Sequence, residues 1–500
     1  MIRTVEIPIK KSTFGSNNID IFNKDFKVKI NGQEVTCYNS RCSAIPFNRI
    51  FDGNQRNINQ SELLGHVSFE ADESVIVEVE CEKQFSTAIV RPLSKGIATK
   101  IDGKKVTFTL DKVGQYVLEL DDEHTCLNLF FNPVNDFKKK EEYNYYFEAG
   151  IHYVGELRLK DGDKVYIDKD AMILGAIYAE SVSDILIEGY GTINGKVLAR
   201  NESQHFNRGN IMLINCKNIV INGPILVDAS YWVAALYNCE NIEINNIKIT
   251  GQWRYNTDGI DLVSCRNAVI KDSFVHAFDD VIVIKAYSLY EKYTIDVVEN
   301  IMVDNCVLWC GWGRTIEIGI ETAAKEYKNI TFKNCDLIHN SAVAIDIQNG
   351  NNAFIHDVVV KDSNVEFQKS TMPEIYQETY EQVYDGYGKI GMPYFVWIDN
   401  HRFFGFTNKM FSDNSAVARK PEYDDAETTF GSVEDVLIDN VNIYADEGLP
   451  NFKIKVRSVK DDVVFDNITI SNVLVNGEKV VSAERFDMDI DERIENIKIF

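Results

Sequence analysis

Three carboxylates define the chemistry available to this chain. Asn256-Thr257-Asp258-Gly259-Ile260-Asp261 is followed by Phe278-Asp279-Asp280-Val281, so Asp258 precedes an acidic doublet by 21 residues. Side chains at that separation meet when the chain winds into coils of roughly 20–30 residues stacked about 4.8 Å per rung. Acids gathered on one rigid surface suit glycosidic-bond hydrolysis. One carboxylic acid protonates the leaving oxygen, and carboxylates on the other side activate water. A lone Asn-Thr-Asp-Gly is more often a turn, because Asn and Asp side chains bond their own backbone. The doublet alters that balance. Neighbouring carboxylates between Phe278 and Val281-Ile282-Val283-Ile284 repel each other in apolar surroundings and are costly to hold, and a turn has no use for them.

The elements that must position these acids recur along the chain. From about residue 184 each unit reads Asn or Asp, then Ile or Val, then a second apolar residue two places on. Examples are Asp184-Ile185-Leu186-Ile187, Asn218-Ile219-Val220-Ile221, Asn241-Ile242-Glu243-Ile244 and Asn300-Ile301-Met302-Val303, and the series continues to Asn467-Ile468-Thr469-Ile470 and Asn496-Ile497-Lys498-Ile499. Neighbouring units are mostly 23 to 34 residues apart. Short β-branched strands at that period, without helical periodicity or a Leu-x-x-Leu-x-Leu frame, predict an all-β fold: a right-handed parallel β-helix with an aliphatic interior and Asn residues laddered at its turns. Cys216, Cys239 and Cys265 recur in step with the units and read as small buried hydrophobes in that interior.

Residues 1–140 lack the period. Alternating strands such as Val75-Ile76-Val77-Glu78-Val79 and Lys105-Val106-Thr107-Phe108-Thr109-Leu110, separated by Asn31-Gly32, Asp52-Gly53 and Asp102-Gly103, predict an N-terminal β-sandwich domain. Residues 145–500 form the β-helix domain. The repeats at 357 and 435 stand more than twice the usual step apart. The interval, an insertion around 366–432, holds Tyr376, Tyr380, Tyr384, Tyr387, Tyr394, Phe395 and Trp397. Two readings fit it equally, a sugar-stacking cleft wall and an oligomer contact.

The formal net charge is −24, with 76 acidic against 52 basic residues. Such a surface repels polyanions, so nucleic acid is not an expected partner, and neither is a highly charged acidic polysaccharide without a local basic patch. No apolar run is long enough to span a bilayer. The ten Cys contain no metal signature, no metal or cofactor is expected, and free thiols suit a reducing compartment. The chain opens Met1-Ile2-Arg3-Thr4-Val5-Glu6-Ile7-Pro8, which has no apolar signal-peptide core. A cytoplasmic protein trimming imported oligosaccharides is therefore expected, the alternative being a secreted chain whose leader has been removed.

Asn-x-Asp, then Asp-Asp about one coil on, then Gly311-Trp312-Gly313 another coil on, resembles the polygalacturonase and dextranase/isopullulanase clan of β-helix glycosidases. The resemblance covers roughly residues 145–480. The N-terminal sandwich and the segment Tyr146-Phe147-Glu148-Ala149-Gly150-Ile151-His152-Tyr153 are similar to the dextranase side. The resemblance implies hydrolysis with inversion, Asp279 as general acid, and Asp258 and Asp280 holding the water. Two departures stand out: Trp312 occupies the place of the histidine in the polygalacturonase Gly-His-Gly, and the Arg-Ile-Lys that binds a galacturonate carboxylate has no counterpart. Together with the acidic charge they favour a neutral oligo- or polysaccharide such as an α-glucan. The alternatives are a pectin hydrolase, a β-helix lyase or fructosyl-transferring enzyme, and a glycan-binding module without turnover.

Further substrate-binding candidates flank the acids. Arg254 and Asn256 belong to the first motif, and Trp232 lies one coil before Asp258, where a ring could form a platform. Lys285 follows the doublet, and Trp312, Arg314 and Glu317 lie a coil beyond. For Lys285 and Arg314, neutralising a carboxylate is as good a reading as touching substrate, and Glu317 reads more readily as structural than as catalytic.

Overall fold

A computed structural model describes residues 2–7, 21–43, 58, 61–135, 140–198, 209–287, 296–369, 392–400 and, apart from 460, 464 and 495, residues 431–500. From Tyr145 onward the strands stack almost entirely in parallel into a β-helix with three sheet faces. The first face runs through Ser183–Glu188, Lys217–Asn222, Glu240–Asn245, Arg266–Lys271, Val297–Asp304 and Glu326–Lys333. The second runs through Thr192–Asn194, Ile225–Val227, Lys248–Thr250, Phe274–Ala277, Val307–Cys310 and Asp336–His339. The third runs through Ala171–Glu180, Ile211–Ile214, Ala234–Tyr237, Ile260–Val263, Ile282–Ala286, Arg314–Thr322, Val343–Gln348, Tyr394–Asp399 and Phe452–Arg457. Inward residues of all three faces, among them Ile219, Ile242, Ile249, Leu262, Ile284 and Ile318, form one continuous core with Cys216, Cys239 and Cys265 inside it.

The Asn or Asp that opens each repeat has a specific task. Asp184, Asn218, Asn241, Asn267, Asn300 and Asn329 all adopt left-handed backbone, with φ between 54° and 61°. Short polar side chains tolerate that conformation better than others. Each also hands a bond down the stack: Asn218 Nδ2 donates to Asp184 Oδ1 at 2.9 Å, Asn241 to Asn218 at 3.0 Å, Asn267 to Asn241 at 3.3 Å and Asn300 to Asn267 at 2.9 Å. The repeat is therefore read from two requirements met by one residue type, a turn and a ladder.

Residues up to Asn132 build two further sheets. One contains Arg3–Thr4, Tyr38–Ser43, Ser61–Glu70, Ala88–Arg91, Gly114–Leu120 and Asp122–Asn132; the other contains Phe26–Ile30, Gln33–Val35, Val75–Cys81, Lys100–Asp102 and Lys105–Leu110. Val28, Val77, Val79, Val106, Leu118 and Leu129 fill the space between them. The opposite side of the six-stranded sheet lies on the second face of the coil, with Val117 and Phe130 packed against Phe274, Val307 and Ile338.

The expected insertion needs correction. Residues 370–391 and 401–430 lie outside the described residues. The described piece between them is a regular rung: Tyr394–Asp399 pairs with Val343–Gln348 on one side and Phe452–Arg457 on the other. Phe395, Val396 and Ile398 are core residues and Tyr394 and Trp397 are half-buried, with a register irregularity between Tyr394 and Val396.

If the turn conformation matters more than the ladder bonds, Asn241→Gly should lower Tm less than Asn241→Ala, since a left-handed backbone costs a Cβ-bearing residue about 1–2 kcal/mol. Thermal unfolding of both variants is the measurement. An alanine variant as stable as the glycine variant would contradict this account of the repeat.

Candidate active site

The two acidic motifs sit at the turns that lead from the second face into the third. Gly259 N–H donates to Asp280 O at 2.8 Å, and Val281 N–H donates to Arg314 O at 2.8 Å. Those bonds put Asp258, Asp280 and the Gly313-Arg314 step on successive rungs. Asp279 and Asp280 both reach the same point because the chain bends over Phe278 and Asp279 before re-entering a strand at Ile282; two neighbours in a regular strand would face opposite ways. Gly313 closes the space between them. A Cβ there would overlap Asp280 Oδ1 and lie 2.8 Å from Asp279 Oδ1, so the second glycine of Gly-Trp-Gly is required for room.

All three acids are buried, and two cations hold Asp258 and Asp280. Lys285 Nζ lies 3.1 Å from Asp258 Oδ2 and 3.3 Å from Asp261 Oδ1, and rests 4.1 Å from the centre of the Trp232 ring. Arg314 donates its backbone N–H to Asp280 Oδ1 at 2.8 Å, and its guanidinium lies 3.5 Å from the same oxygen and 3.4 Å from Asp346 Oδ2. Asp346 also accepts from Gln348 Nε2 at 2.9 Å.

These surroundings drive the carboxyls apart. Burial, reinforced by Asp280 and Asp258, holds Asp279 well above the usual carboxylate range, so it keeps its proton. Burial also pushes Asp280 up, but Arg314, a hydrogen bond with Glu317 and Lys285 together outweigh it, and Asp280 falls below its ordinary value and stays ionised. Burial pushes Asp258 up to about 7 against the pull of Lys285. Burial and Asp280 push Glu317 well up, so Glu317 is the partner that carries the proton in its bond with Asp280. One protonated carboxyl beside one ionised carboxyl is the arrangement that acid–base chemistry at a glycosidic bond uses.

The structure brings together Asp258, Asp279, Asp280, Lys285, Arg314 and Glu317. Lys285 and Arg314 neutralise carboxylates. Glu317 is 1% exposed and shares a hydrogen bond with Asp280. Trp232 departs from the expected platform. It is buried and stacked between Tyr231 (5.2 Å) and Tyr237 (6.1 Å), with Lys285 over its ring, so its faces are taken. Arg254 is also committed elsewhere: it donates to Asp228 O and Ala229 O at 3.0 and 2.8 Å and pairs with Asp228 Oδ1 at 3.0 Å. Asn256 has φ 54° and shapes the turn before Asp258. Trp312 is half-buried, stacked on Phe278 at 6.0 Å and 6.3 Å from Tyr255.

Asp261 and Asp346 were not singled out from the sequence, yet both are buried at the site. A signal existed. Ile316-Glu317-Ile318 and Ile345-Asp346-Ile347 each set an acid between two core isoleucines, and Glu317 pairs with Asp346 in register.

The raised Asp258 has a consequence for stability. A carboxyl at about 7 when folded and about 3.9 when unfolded retains its proton only in the fold. It therefore weakens the fold as pH climbs from about 4 towards 7, and the whole deficit is present above that. Asp258→Asn removes it, so the Tm difference in the variant's favour should widen between about pH 4 and about pH 7. A difference that stays constant across that range would contradict the assignment.

Parts of this chain are similar to known proteins. Residues 150–392 match the model of glycosyl hydrolases family 28. An exopolygalacturonase of Arabidopsis thaliana (clone GBGE184) is 29% identical over 174 residues, which is 32% of this chain and 38% of that protein. The dextranase of Arthrobacter sp. (strain CB-8) is 24% identical over 199 residues, covering 35% of this chain and 29% of the dextranase. The chain thus spans well under two thirds of the length of these relatives. In fold, Dex49A from Penicillium minioluteum superposes with a TM-score of 0.60 at 14% identity, over 99% of this chain and 96% of that one. That likeness includes the N-terminal sheets as well as the coil. Over residues 150–392 the chain is therefore similar to the glycosyl hydrolases family 28.

Proposed function

We propose that this protein hydrolyses the glycosidic bonds of a neutral saccharide, an α-glucan oligosaccharide being favoured, with inversion at the anomeric carbon. The observation that carries the reading is the Asp279–Asp280 doublet, whose two carboxyls meet at one bend against Gly313, with Arg314 bound to Asp280. Asp279 gives its proton to the glycosidic oxygen. Asp280 and Asp258 orient a water and take its proton as it attacks the opposite side of the sugar ring. Arg314 keeps Asp280 ionised and aimed, and Lys285 aims Asp258 while opposing the upward push of its burial.

The substrate class rests on the cations. A uronate would need a free positive group beside the carboxylates. Among the described residues, Lys285 is engaged by Asp258 and Asp261, Arg314 by Asp280 and Asp346, Arg254 by Asp228 and Lys455 by Asp399. The acids around them add negative field. A neutral sugar avoids that repulsion, and half-buried Trp312 supplies an apolar surface for it. The dextranase among the relatives supports the α-glucan choice. Ten buried thiols support action in a reducing compartment on imported oligosaccharides.

Asp279→Asn should lower kcat by at least about 10²-fold, the lower end for loss of a general acid, with the fold intact. An aryl glycoside with a good leaving group should recover part of that loss in Asp279→Asn and none in Asp258→Asn or Asp280→Asn. Nuclear magnetic resonance of the first-formed sugar should show the inverted anomer. A retained product would overturn the mechanism, and efficient cleavage of oligogalacturonides in a substrate panel would overturn the substrate class.

A further inference from the structure

The N-terminal sheets do more than cover the coil, because at one place they grip the strands that end in the acidic bend. His276, Trp309 and His339 occupy matching positions on the successive strands Phe274–Ala277, Val307–Cys310 and Asp336–His339. Their rings form one buried stack: His276 to Trp309 at 3.9 Å and 6°, and Trp309 to His339 at 4.4 Å and 34°.

Both ends of the stack are held from the N-terminal side. Cys42 Sγ lies 3.8 Å from His276 Nδ1. His339 Nε2 is hydrogen-bonded to Glu119, and among the described residues His339 Nδ1 has no partner, so the Glu119 bond and the Trp309 stack orient that ring. Glu119 in turn accepts from Arg91 Nε at 2.6 Å, and Arg91 also binds Glu366 of the coil, whose second oxygen accepts from Leu93 N–H at 2.7 Å. Charges buried to this depth are expensive to desolvate and stay only where every partner is in place. Apolar packing of Val117 and Phe130 on Phe274 and Val307 would join the two parts without them.

Each stacked ring is followed directly by part of the site. His276 stands three residues before Asp279. Trp309 is followed by Cys310, whose Sγ lies 3.7 Å from Asp279 O and 3.6 Å from Ser341 Oγ. His339 is followed by Asn340, whose Oδ1 accepts from Thr315 Oγ1 at 2.6 Å, next to Arg314. A shift of the stack is thereby transmitted to the bend bearing the acid and to the strand bearing its clamp.

We infer that Glu119 is a positioning residue for the glycosidase site: from the N-terminal sheets, through the His339–Trp309–His276 stack, it fixes where Asp279 presents its proton. The inference rests on the reading of Asp279 as proton donor. Misplacing a catalytic group by about 1 Å can cost about 10²-fold in rate.

The test uses the full chain with Glu119→Gln and, in case that variant does not fold, Trp309→Phe, which shortens the middle ring without removing a charge. Each is assayed on an unactivated α-glucan oligosaccharide and on an aryl glycoside with a good leaving group, and the aspartate carboxyls are followed by ¹³C nuclear magnetic resonance, with Asp279 assigned through Asp279→Asn. Glu119→Gln should lower kcat on the oligosaccharide by about tenfold or more, leave KM nearly unchanged, largely spare the aryl glycoside, and displace the Asp279 carboxyl signal. Equal loss on both substrates, or a lower Tm with unaltered kcat, would show a merely structural contact and overturn the inference. If the wild type turns over neither substrate, the proposed function fails, and the carboxyl signal decides this point separately: an Asp279 resonance identical in wild type and both variants overturns the brace, and a displaced one supports it.

Discussion

Everything at this site follows from crowding acids where water cannot screen them. Asp258, Asp261, Asp279, Asp280, Glu317 and Asp346 are all buried within a few rungs of one another. Among the described residues two cations, Lys285 and Arg314, are shared among them. Two positive charges cannot hold six carboxyls ionised in such surroundings, so some must keep their protons. Which ones do is decided by position. Asp280 receives the Arg314 backbone N–H, the Arg314 guanidinium and a bond from Glu317. Asp279, one residue away, has an oxygen against Gly313 and no cation bound to it. Position thus decides how two scarce cations are divided among the carboxyls.

A β-helix can sustain this arrangement because its backbone is already satisfied. Each rung bonds to the rungs above and below, and the interior is a continuous aliphatic column. The strain of buried charge is carried by a scaffold that does not depend on the site for its own cohesion. Function then concentrates at the turns between the second and third faces, where the chain leaves strand geometry for a few residues and two adjacent side chains can share one side. The same separation explains why Gly259 and Gly313 are both needed beside the acids: at each, a Cβ would collide with atoms of the next rung or with the carboxylates themselves.

The period, the Asn turns and the core face were readable from the chain because each obeys a local rule that repeats. Asp258, Asp279 and Asp280 were readable because adjacent acids in apolar sequence are rare without cause. What surrounds them was harder to see. Lys285 and Arg314 could be named but their partners could not, since Lys285 reaches back 27 residues to Asp258 and Arg314 forward 32 residues to Asp346; rung lengths of 23 to 34 residues blur such pairings. Trp232 illustrates the reverse failure. A tryptophan one coil from an acid reads as a sugar platform until Lys285, placed by register two rungs on, covers its face. The rung at Tyr394–Asp399 was hidden because the Asn-led repeat marks the first face, and this strand belongs to the third.

The central claim is that Asp279 holds a proton while its neighbour Asp280 does not. Neutron diffraction from crystals exchanged into deuterated buffer near neutral pH observes this directly. The account requires nuclear density for a deuteron on a carboxyl oxygen of Asp279, and none on Asp280, whose oxygens should instead meet the deuterated Arg314 and Glu317. A deuteron on Asp280 with Asp279 bare, or both carboxyls bare, would contradict it.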